Sequence, residues 1–242
     1  MPTPAERGLV ALGPLLPARF VDRPNRFLVV ARLRGRRVLA ACRDPGRLDH
    51  LLGPEVELRL ARARPSAGGA GRRTAYDVAL VRHRAGWTSL VPVLANRILE
   101  AAIVAGAAPG LRGVRVLGRE VTHGESRLDF LLARRGRRVL AEVKSVGLVV
   151  DGCALFPDAP TARGARHLRH LARHVRGGGA ALLVFVAQRS DARRVAPYRA
   201  IDPDFADALE EARRAGVGLL AYNCDVSPAG CRLRERIPVV RG

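Results

Sequence analysis

The stretch Ser126-Arg127-Leu128-Asp129-Phe130-Leu131-Leu132-Ala133-Arg134-Arg135-Gly136-Arg137-Arg138-Val139-Leu140-Ala141-Glu142-Val143-Lys144-Ser145 decides how the chain is read. It predicts two strands, about 127–133 and 138–144, joined by a tight turn at Arg135-Gly136. Glycine in a two-residue connection tolerates the positive φ that hairpin turns need. A turn centred there sets Asp129 opposite Glu142 and Arg127 opposite Lys144. Side chains on a strand change face at every residue. One face then carries Leu128, Phe130, Leu132, Val139, Ala141 and Val143, all apolar. The other carries Arg127, Asp129, Leu131, Ala133, Arg138, Leu140, Glu142 and Lys144. Two carboxylates a cross-strand distance apart, roughly 5 Å, repel each other unless a cation lies between them. Mg²⁺ or Mn²⁺ would take carboxylate oxygens and keep waters for chemistry. Lys144 points the same way as Glu142 and is placed to hold or deprotonate a water, or to balance an oxyanion.

An Asp followed by Glu-x-Lys on the next strand resembles the metal site of the PD-(D/E)xK nuclease fold. The pattern is short, and the exposed face of an ordinary hairpin is the competing reading. Composition separates the two. Of 42 Lys plus Arg, a single residue, Lys144, is lysine. An ammonium is a compact charge that can be deprotonated, which a guanidinium is not. The one lysine stands where the nuclease pattern requires an amine.

The 242 residues suffice for one large or two small domains with packed cores. Apolar content of 48% indicates a folded chain. No apolar run approaches the ~18 residues of a membrane span. The start of the chain lacks the apolar core of a signal peptide, so a cytoplasmic location is expected. Cys42, Cys153, Cys224 and Cys231 are scattered without a Cys-x-x-Cys pair, which argues against a zinc ribbon and for free thiols.

The formal charge is +20. An excess of this size implies a polyanionic partner, most often nucleic acid; a generic basic surface is the alternative. Aromatics are only 4%, too few for base-stacking platforms, so arginine contact with a duplex backbone fits better. DNA is the expected partner, without a membrane, and a homodimer is compatible with the sequence.

Residues 1–13 read as a loose tail. Short strands follow, near 15–21, 26–33, 36–42, 55–61, 76–81 and 87–91, separated by Asp22-Arg23-Pro24-Asn25, Gly35, Asp44-Pro45-Gly46 and a glycine-rich stretch at 66–71, with a short helix near 47–51. This texture predicts a small OB-like β-barrel. The loop at 62–73 carries Arg62, Arg64, Arg72 and Arg73, either a flexible finger for phosphates or a solvated hairpin tip. At Pro92 the texture changes to a helix over 91–104 with Pro in its first turn. A strand at 114–121, the central hairpin and a loop through 151–160 come next. Then follow a helix at 162–175 capped by Thr161, a strand at 181–187, a helix at 204–215, a strand at 217–222 and a closing strand near 232–239. The fold class is therefore α+β in two domains: residues 1–88 as an OB-like β-barrel, and residues 89–242 as an α/β PD-(D/E)xK nuclease-like domain.

Other acids lie nearby. Glu100, on the helix before the sheet, and Glu120, one strand before the hairpin, each compete to complete the metal site. His167, His170 and His174 share one helix face. His170 and His174 are spaced to share a metal, although no Glu follows His170. His167 beside Arg163, near a helix start that favours anions, is placed to meet a scissile phosphate.

Matching residues extend well past the hairpin: Arg26-Phe27-Leu28, Ala95-Asn96, Glu120 with Gly124-Glu125-Ser126-Arg127-Leu128-Asp129-Phe130, and Glu142-Val143-Lys144-Ser145. Further matches are the run from Phe156-Pro157-Asp158-Ala159-Pro160-Thr161-Ala162-Arg163-Gly164 to Leu168, Asp202-Pro203-Asp204-Phe205, and Gly216-Val217. Together they resemble the sugar fermentation stimulation protein A (SfsA) family over about residues 13–240. The resemblance implies an OB-like domain before a PD-(D/E)xK-like domain, non-specific DNA binding, and a regulatory role in sugar (maltose) metabolism. One stretch departs: where the family usually has Pro-Asn-Thr-Gly, this chain has Arg43-Asp44-Pro45-Gly46. Two functions follow as expectations. One is a DNA-binding protein acting as a metal-dependent DNA endonuclease. In it Asp129 and Glu142, with Glu120 or Glu100, hold Mg²⁺ or Mn²⁺, Lys144 orients the water or steadies the oxyanion, Arg163 and His167 meet the scissile phosphate, and Arg127 contacts DNA. The other is a non-catalytic DNA-binding regulator. A small-molecule sugar enzyme is disfavoured, since the chain has no glycine-rich nucleotide loop.

Overall fold

The computed structural model describes residues 7–63 and 74–241. The chain opens with β1 (Val10–Ala11) and then runs through β2 (Leu15–Asn25), β3 (Leu28–Leu33), β4 (Arg36–Ala41), β5 (Glu57–Arg62), β6 (Tyr76–His83) and β7 (Gly86–Ser89). Strands β4-β3-β2-β5-β6 lie in that order, and a parallel pairing of Ala40 and Ala41 with Tyr76 and Asp77 closes them into a barrel. Val29, Ala31, Ala40, Leu58, Leu60 and Val78 fill it, all fully buried. Closure removes the open strand edges that a short sheet would otherwise expose.

The second part contains α1 (Leu94–Val104), β8 (Arg115–His123), β9 (Ser126–Arg134), β10 (Arg137–Val146), β11 (Val149–Val150), β12 (Cys153–Phe156), α2 (Ala162–Arg176), β13 (Ala181–Ala187), β14 (Arg194–Pro197), α3 (Pro203–Arg214), β15 (Gly218–Ser227) and β16 (Gly230–Ile237). A seven-stranded sheet, β1-β16-β15-β13-β10-β9-β8, forms its centre, with β10, β13 and β15 parallel. The uninterrupted apolar run of β13, buried at every residue, is what a strand covered on both faces requires. Helix α1 packs on one face through Leu94, Ile98 and Leu99. Helices α2 and α3 cover the other through Leu168, Leu171, Phe205 and Leu209. Capping agrees with this placement: Thr161 Oγ1 accepts from Gly164 N at the start of α2, and Asp202 Oδ1 accepts from Phe205 N at the start of α3.

The OB-like barrel and the α/β domain are thus as the sequence predicts, with four local corrections. Residues 10–11 are not tail: Val10 pairs with Cys231 and Ala11 with Gly230, so the chain start belongs to the second sheet. Gly230 permits this approach, since a Cβ there would lie 2.6 Å from the Val10 carbonyl oxygen. Strand β2 runs through Asp22-Arg23-Pro24-Asn25, because register shifts after Phe20 and after Asp22 absorb the proline, and the turn moves to Arg26-Phe27. No helix forms near 47–51. Leu51 N and Leu52 N both bond Leu48 O in a single turn that buries Leu48 and Leu51 in the barrel. The stretch 151–160 is not all loop, since β12 pairs in parallel with β14 some forty residues on. No local pattern signals such a long-range pairing.

Candidate metal and nucleic-acid site

The site grows from the hairpin. Arg135 and Gly136 both have positive φ, 49° and 76°, as a two-residue hairpin turn of this hand requires. The ladder then pairs Arg137 with Arg134 and continues to Ala141 with Phe130. One step further the register faces Glu142 with Asp129, and there the β9–β10 pairing stops. β10 continues in the sheet by pairing with β13 up to Val146, while β9 stays with β8. The strands part, and Asp129 enters the gap. Its Oδ2 accepts from the Val143 backbone N–H at 2.7 Å, and its Oδ1 accepts from Asn96 Nδ2 of α1 at 2.7 Å.

Glu142 is 4% exposed. Its Oε1 accepts from Lys144 Nζ and hydrogen-bonds His167 Nδ1, each at 2.7 Å. Its Oε2 is buried and has no hydrogen-bond partner. Burial raises the Asp129 pKa above the usual carboxylate range, and the Glu142 charge pushes it further up. Burial also pushes Glu142 up, but the His167 hydrogen bond and the Lys144 ammonium outweigh it and hold Glu142 below its ordinary value. The environments of two neighbouring acids are therefore pulled apart, a recurrent feature of functional sites.

The alternation of faces holds through the zipped half and fails where the strands part: Asp129, expected on the Glu142 face, is bonded by Asn96 of α1, whereas Glu142 is bonded by His167 of α2. Phe130, Leu132, Ala141 and Val143 lie in the core with α1, whereas Leu131 and Leu140 pack toward α2. Leu128, expected with the former group, sits in the α2 core, at the point where the strands diverge.

Neither further acid joins the pair. Glu100 accepts from Arg119 Nε at 2.8 Å, and Glu120 is exposed and ion-paired with Arg127, which that pairing occupies in turn. Among the described residues no group of three or more His, Cys, Asp or Glu is spaced to hold a metal. His167 is placed differently from the expectation. It is 4% exposed and faces Glu142, not solvent, because it lies on the inner side of α2 with Leu168 and Leu171. Only Arg163 of that pair is on the surface, with its Nε 3.4 Å from His167 Nε2. His170 and His174 meet His123, a partner the sequence reading missed: His123 Nδ1 lies 2.8 Å from His170 Nε2, and the rings of His123 and His174 are 4.8 Å apart.

Arg62 is exposed on β5 and lines a groove between barrel and second domain together with Arg43 and Arg97. Arg64, Arg72 and Arg73 lie outside the described residues. Asn96 is a further residue that sequence reasoning missed as a site member. Its signal was its place in the matching Ala95-Asn96 pair.

The domain junction abuts the site. Gln188 Nε2 donates to Ser145 Oγ at 2.8 Å and to the Val91 carbonyl at 3.1 Å. A cavity of about 170 Å³ opens there, lined in part by Asp44, Gly46, Pro92, Ser145 and Asp158. The Arg43-Asp44-Pro45-Gly46 loop therefore faces the Phe156–Asp158 segment, and a Cβ on Gly46 would lie 1.8 Å from Asp158 Oδ2. No helix among the described residues is long and apolar enough to cross a membrane.

Comparison with known proteins gives consistent matches. A family profile described as the sugar fermentation stimulation protein RE domain matches residues 93–230, and one described as the SfsA N-terminal OB domain matches residues 21–90. A sugar fermentation stimulation protein homolog of Moorella thermoacetica is 49% identical over 216 residues, covering 88% of this chain and 91% of the relative. That of Chloroflexus aurantiacus is 43% identical over 237 residues, covering 98% and 90%. A solved structure of Pyrococcus furiosus SfsA in complex with Ca²⁺ superposes with a TM-score of 0.85 at 30% identity, covering 96% of this chain and 98% of that one.

Proposed function

Because this chain belongs to the sugar fermentation stimulation protein family, we propose that it binds DNA largely without sequence preference and hydrolyses phosphodiesters at a divalent-metal site. The observation that carries the reading is the gap between β9 and β10. It holds Asp129 and Glu142 beside the chain's sole lysine, with Glu142 Oε2 buried and unpartnered. A buried carboxylate oxygen without a donor is costly, and a cation relieves that cost.

The donor set fits a hard ion. Asp129 and Glu142 would hold Mg²⁺ or Mn²⁺, which take oxygen ligands and retain waters. The relative crystallised with Ca²⁺, another hard oxygen-seeking cation, supports this choice. When bound, such an ion lowers the pKa of a water and screens phosphate charge. Lys144 Nζ, held on Glu142 Oε1, would donate to a phosphate oxygen as negative charge develops there. Asn96 and the Val143 N–H keep the Asp129 carboxylate fixed. Arg163 and Arg97 lie on nearby surfaces and suit duplex phosphates.

The test is incubation of the purified chain with plasmid and Mn²⁺, beside Asp129→Ala and Lys144→Ala. Cleavage by the wild type should fall at least ~10²-fold in each variant, the scale of losing one group aimed at developing charge. Absence of cleavage on duplex, nicked, branched and single-stranded DNA, together with absence of metal uptake, would remove the reading.

A second reading has its own support. Glu100 and Glu120 are each committed to an arginine, which leaves two acids at the site. A non-catalytic DNA-binding regulator of sugar (maltose) metabolism would need no third. It predicts that Asp129→Ala and Lys144→Ala bind DNA as the wild type does, with steep salt dependence and no cutting.

A further inference from the structure

We propose that His167 is a positioning residue that fixes which oxygen of Glu142 faces the cation. This inference rests on the metal reading above. Both groups that contact Glu142 contact the same atom, Oε1: Lys144 Nζ at 2.7 Å and His167 Nδ1 at 2.7 Å. The other oxygen, Oε2, is left buried and without a partner. A carboxylate fixed by one donor can still turn; two donors converging on one oxygen from different elements, β10 and α2, fix its plane.

The hydrogen bonds also assign the imidazole tautomer. Arg163 Nε approaches His167 Nε2 at 3.4 Å, and a guanidinium can only donate. Nε2 therefore carries the lone pair, the proton sits on Nδ1, and Nδ1–H donates to Glu142 Oε1. Helix α2 is held rigidly enough for this role. Thr161 caps it, and Thr161 N donates to Asp202 Oδ2 at 2.7 Å, pinning the start of α2 to the cap of α3. With His167 at 4% exposure, no solvent donor replaces it. If the His167 donor were removed, the Lys144 ammonium would be free to bridge both oxygens of Glu142 and compete with a cation for Oε2.

The experiment compares wild type, His167→Asn and His167→Leu as full chains. Asn places an amide N–H where the imidazole Nδ1–H stands; Leu fills the space without a donor. Mn²⁺ affinity is measured by titration, with folding checked by circular dichroism. His167→Leu should bind Mn²⁺ 10–100-fold more weakly, the usual loss on removing an outer partner of a ligand, and His167→Asn should recover to within a few-fold of wild type. Independently of metal, ¹⁵N NMR of the His167 ring in the metal-free wild type should show the proton on Nδ1. Equal Mn²⁺ affinity in wild type and His167→Leu overturns the inference while leaving the metal reading intact. So does a His167→Asn loss as large as that of Leu, or a proton found on Nε2. Absence of Mn²⁺ uptake by the wild type overturns the metal reading, and the inference with it.

Discussion

The two ends of the β9–β10 hairpin differ sharply. Near the turn the strands are zipped from Arg134/Arg137 to Phe130/Ala141, and the polar side chains there are exposed arginines. Past Ala141 the pairing of β10 with β9 ends, and the Val143 N–H turns to a side-chain oxygen of Asp129. Polar groups at the zipped end meet water. At the split end they are withdrawn from it and must satisfy one another, which makes each of them energetically consequential. A regular ladder leaves its backbone no spare hydrogen-bonding capacity. Buried polar side chains gather where the ladder fails.

The largest test of this contrast is Glu142→Ala against Arg138→Ala. Removing Glu142 leaves the half-buried Lys144 ammonium and the buried His167 Nδ1–H without their shared acceptor, a loss expected to cost about 3 kcal/mol. Exposed Arg138 should cost no more than about 0.5 kcal/mol. Urea denaturation at pH 7 measures both. The sign with pH follows from the lowered pKa of Glu142. Its stabilisation is present above the ordinary value of 4.5 and is lost as pH falls through the lower folded value. The gap between wild type and Glu142→Ala should therefore close in acid, and a gap that widened there would contradict the assignment.

Asp129→Asn probes the split itself. Asp129 accepts two hydrogen bonds, one at each oxygen. Asn has one acceptor. If its oxygen keeps the Val143 N–H, its amide nitrogen faces Asn96, whose amide must turn over to present its oxygen. The neutral acceptor left for Val143 is weaker than a carboxylate, at a combined cost of about 1 kcal/mol. Hydrogen exchange of the Val143 amide should quicken, while the Ala141 amide in the zipped half should not change.

The zipped end is tested by Gly136→Ala. Nothing lies within 4 Å of a Cβ there, and φ is 76°, so the strain is purely conformational. It should cost about 1 kcal/mol and leave Mn²⁺ affinity unaltered. A change in affinity would mean that the two ends are not independent.

What could be read from the chain follows the same division. The hairpin, its register and its Arg135-Gly136 turn are local consequences of alternation and glycine, and β13 announces itself by its apolar run. The partners of the site residues do not. Asn96 reaches Asp129 from 33 residues away, and His167 reaches Glu142 from 25 residues away. Helix periodicity places His167 on a face but does not say whether that face looks inward, and the burial of Leu168 and Leu171 beside it decides the matter. Strand β1 was illegible for the same reason, since two residues that pair with the far end of the chain carry no pattern of their own. Glu100 and Glu120 looked equivalent to the site acids by type alone; their arginine partners, Arg119 and Arg127, distinguish them.

The smallest predicted effect concerns a pair of acids just beyond the split end. Asp44 of the barrel and Asp158 of the second domain flank the junction cavity beside Ser145. Burial raises the pKa of both, and Asp44 raises that of Asp158 further. An acid whose folded pKa exceeds its ordinary value of 3.8 penalises the fold once ionised, so stability falls as pH climbs from that value upward. Asp44→Asn, which restores the asparagine of the family's usual loop, keeps an acceptor for the Gly46 N–H and removes the repulsion. The variant should melt a little higher than wild type at pH 7, by no more than about 1 kcal/mol or 2–4 °C in a chain of this size, with the advantage vanishing near pH 3. If Asp44→Asn instead melts lower at pH 7 and loses Mn²⁺ affinity, the Asp44 carboxylate serves the neighbouring cation site, and the split end extends across the domain junction.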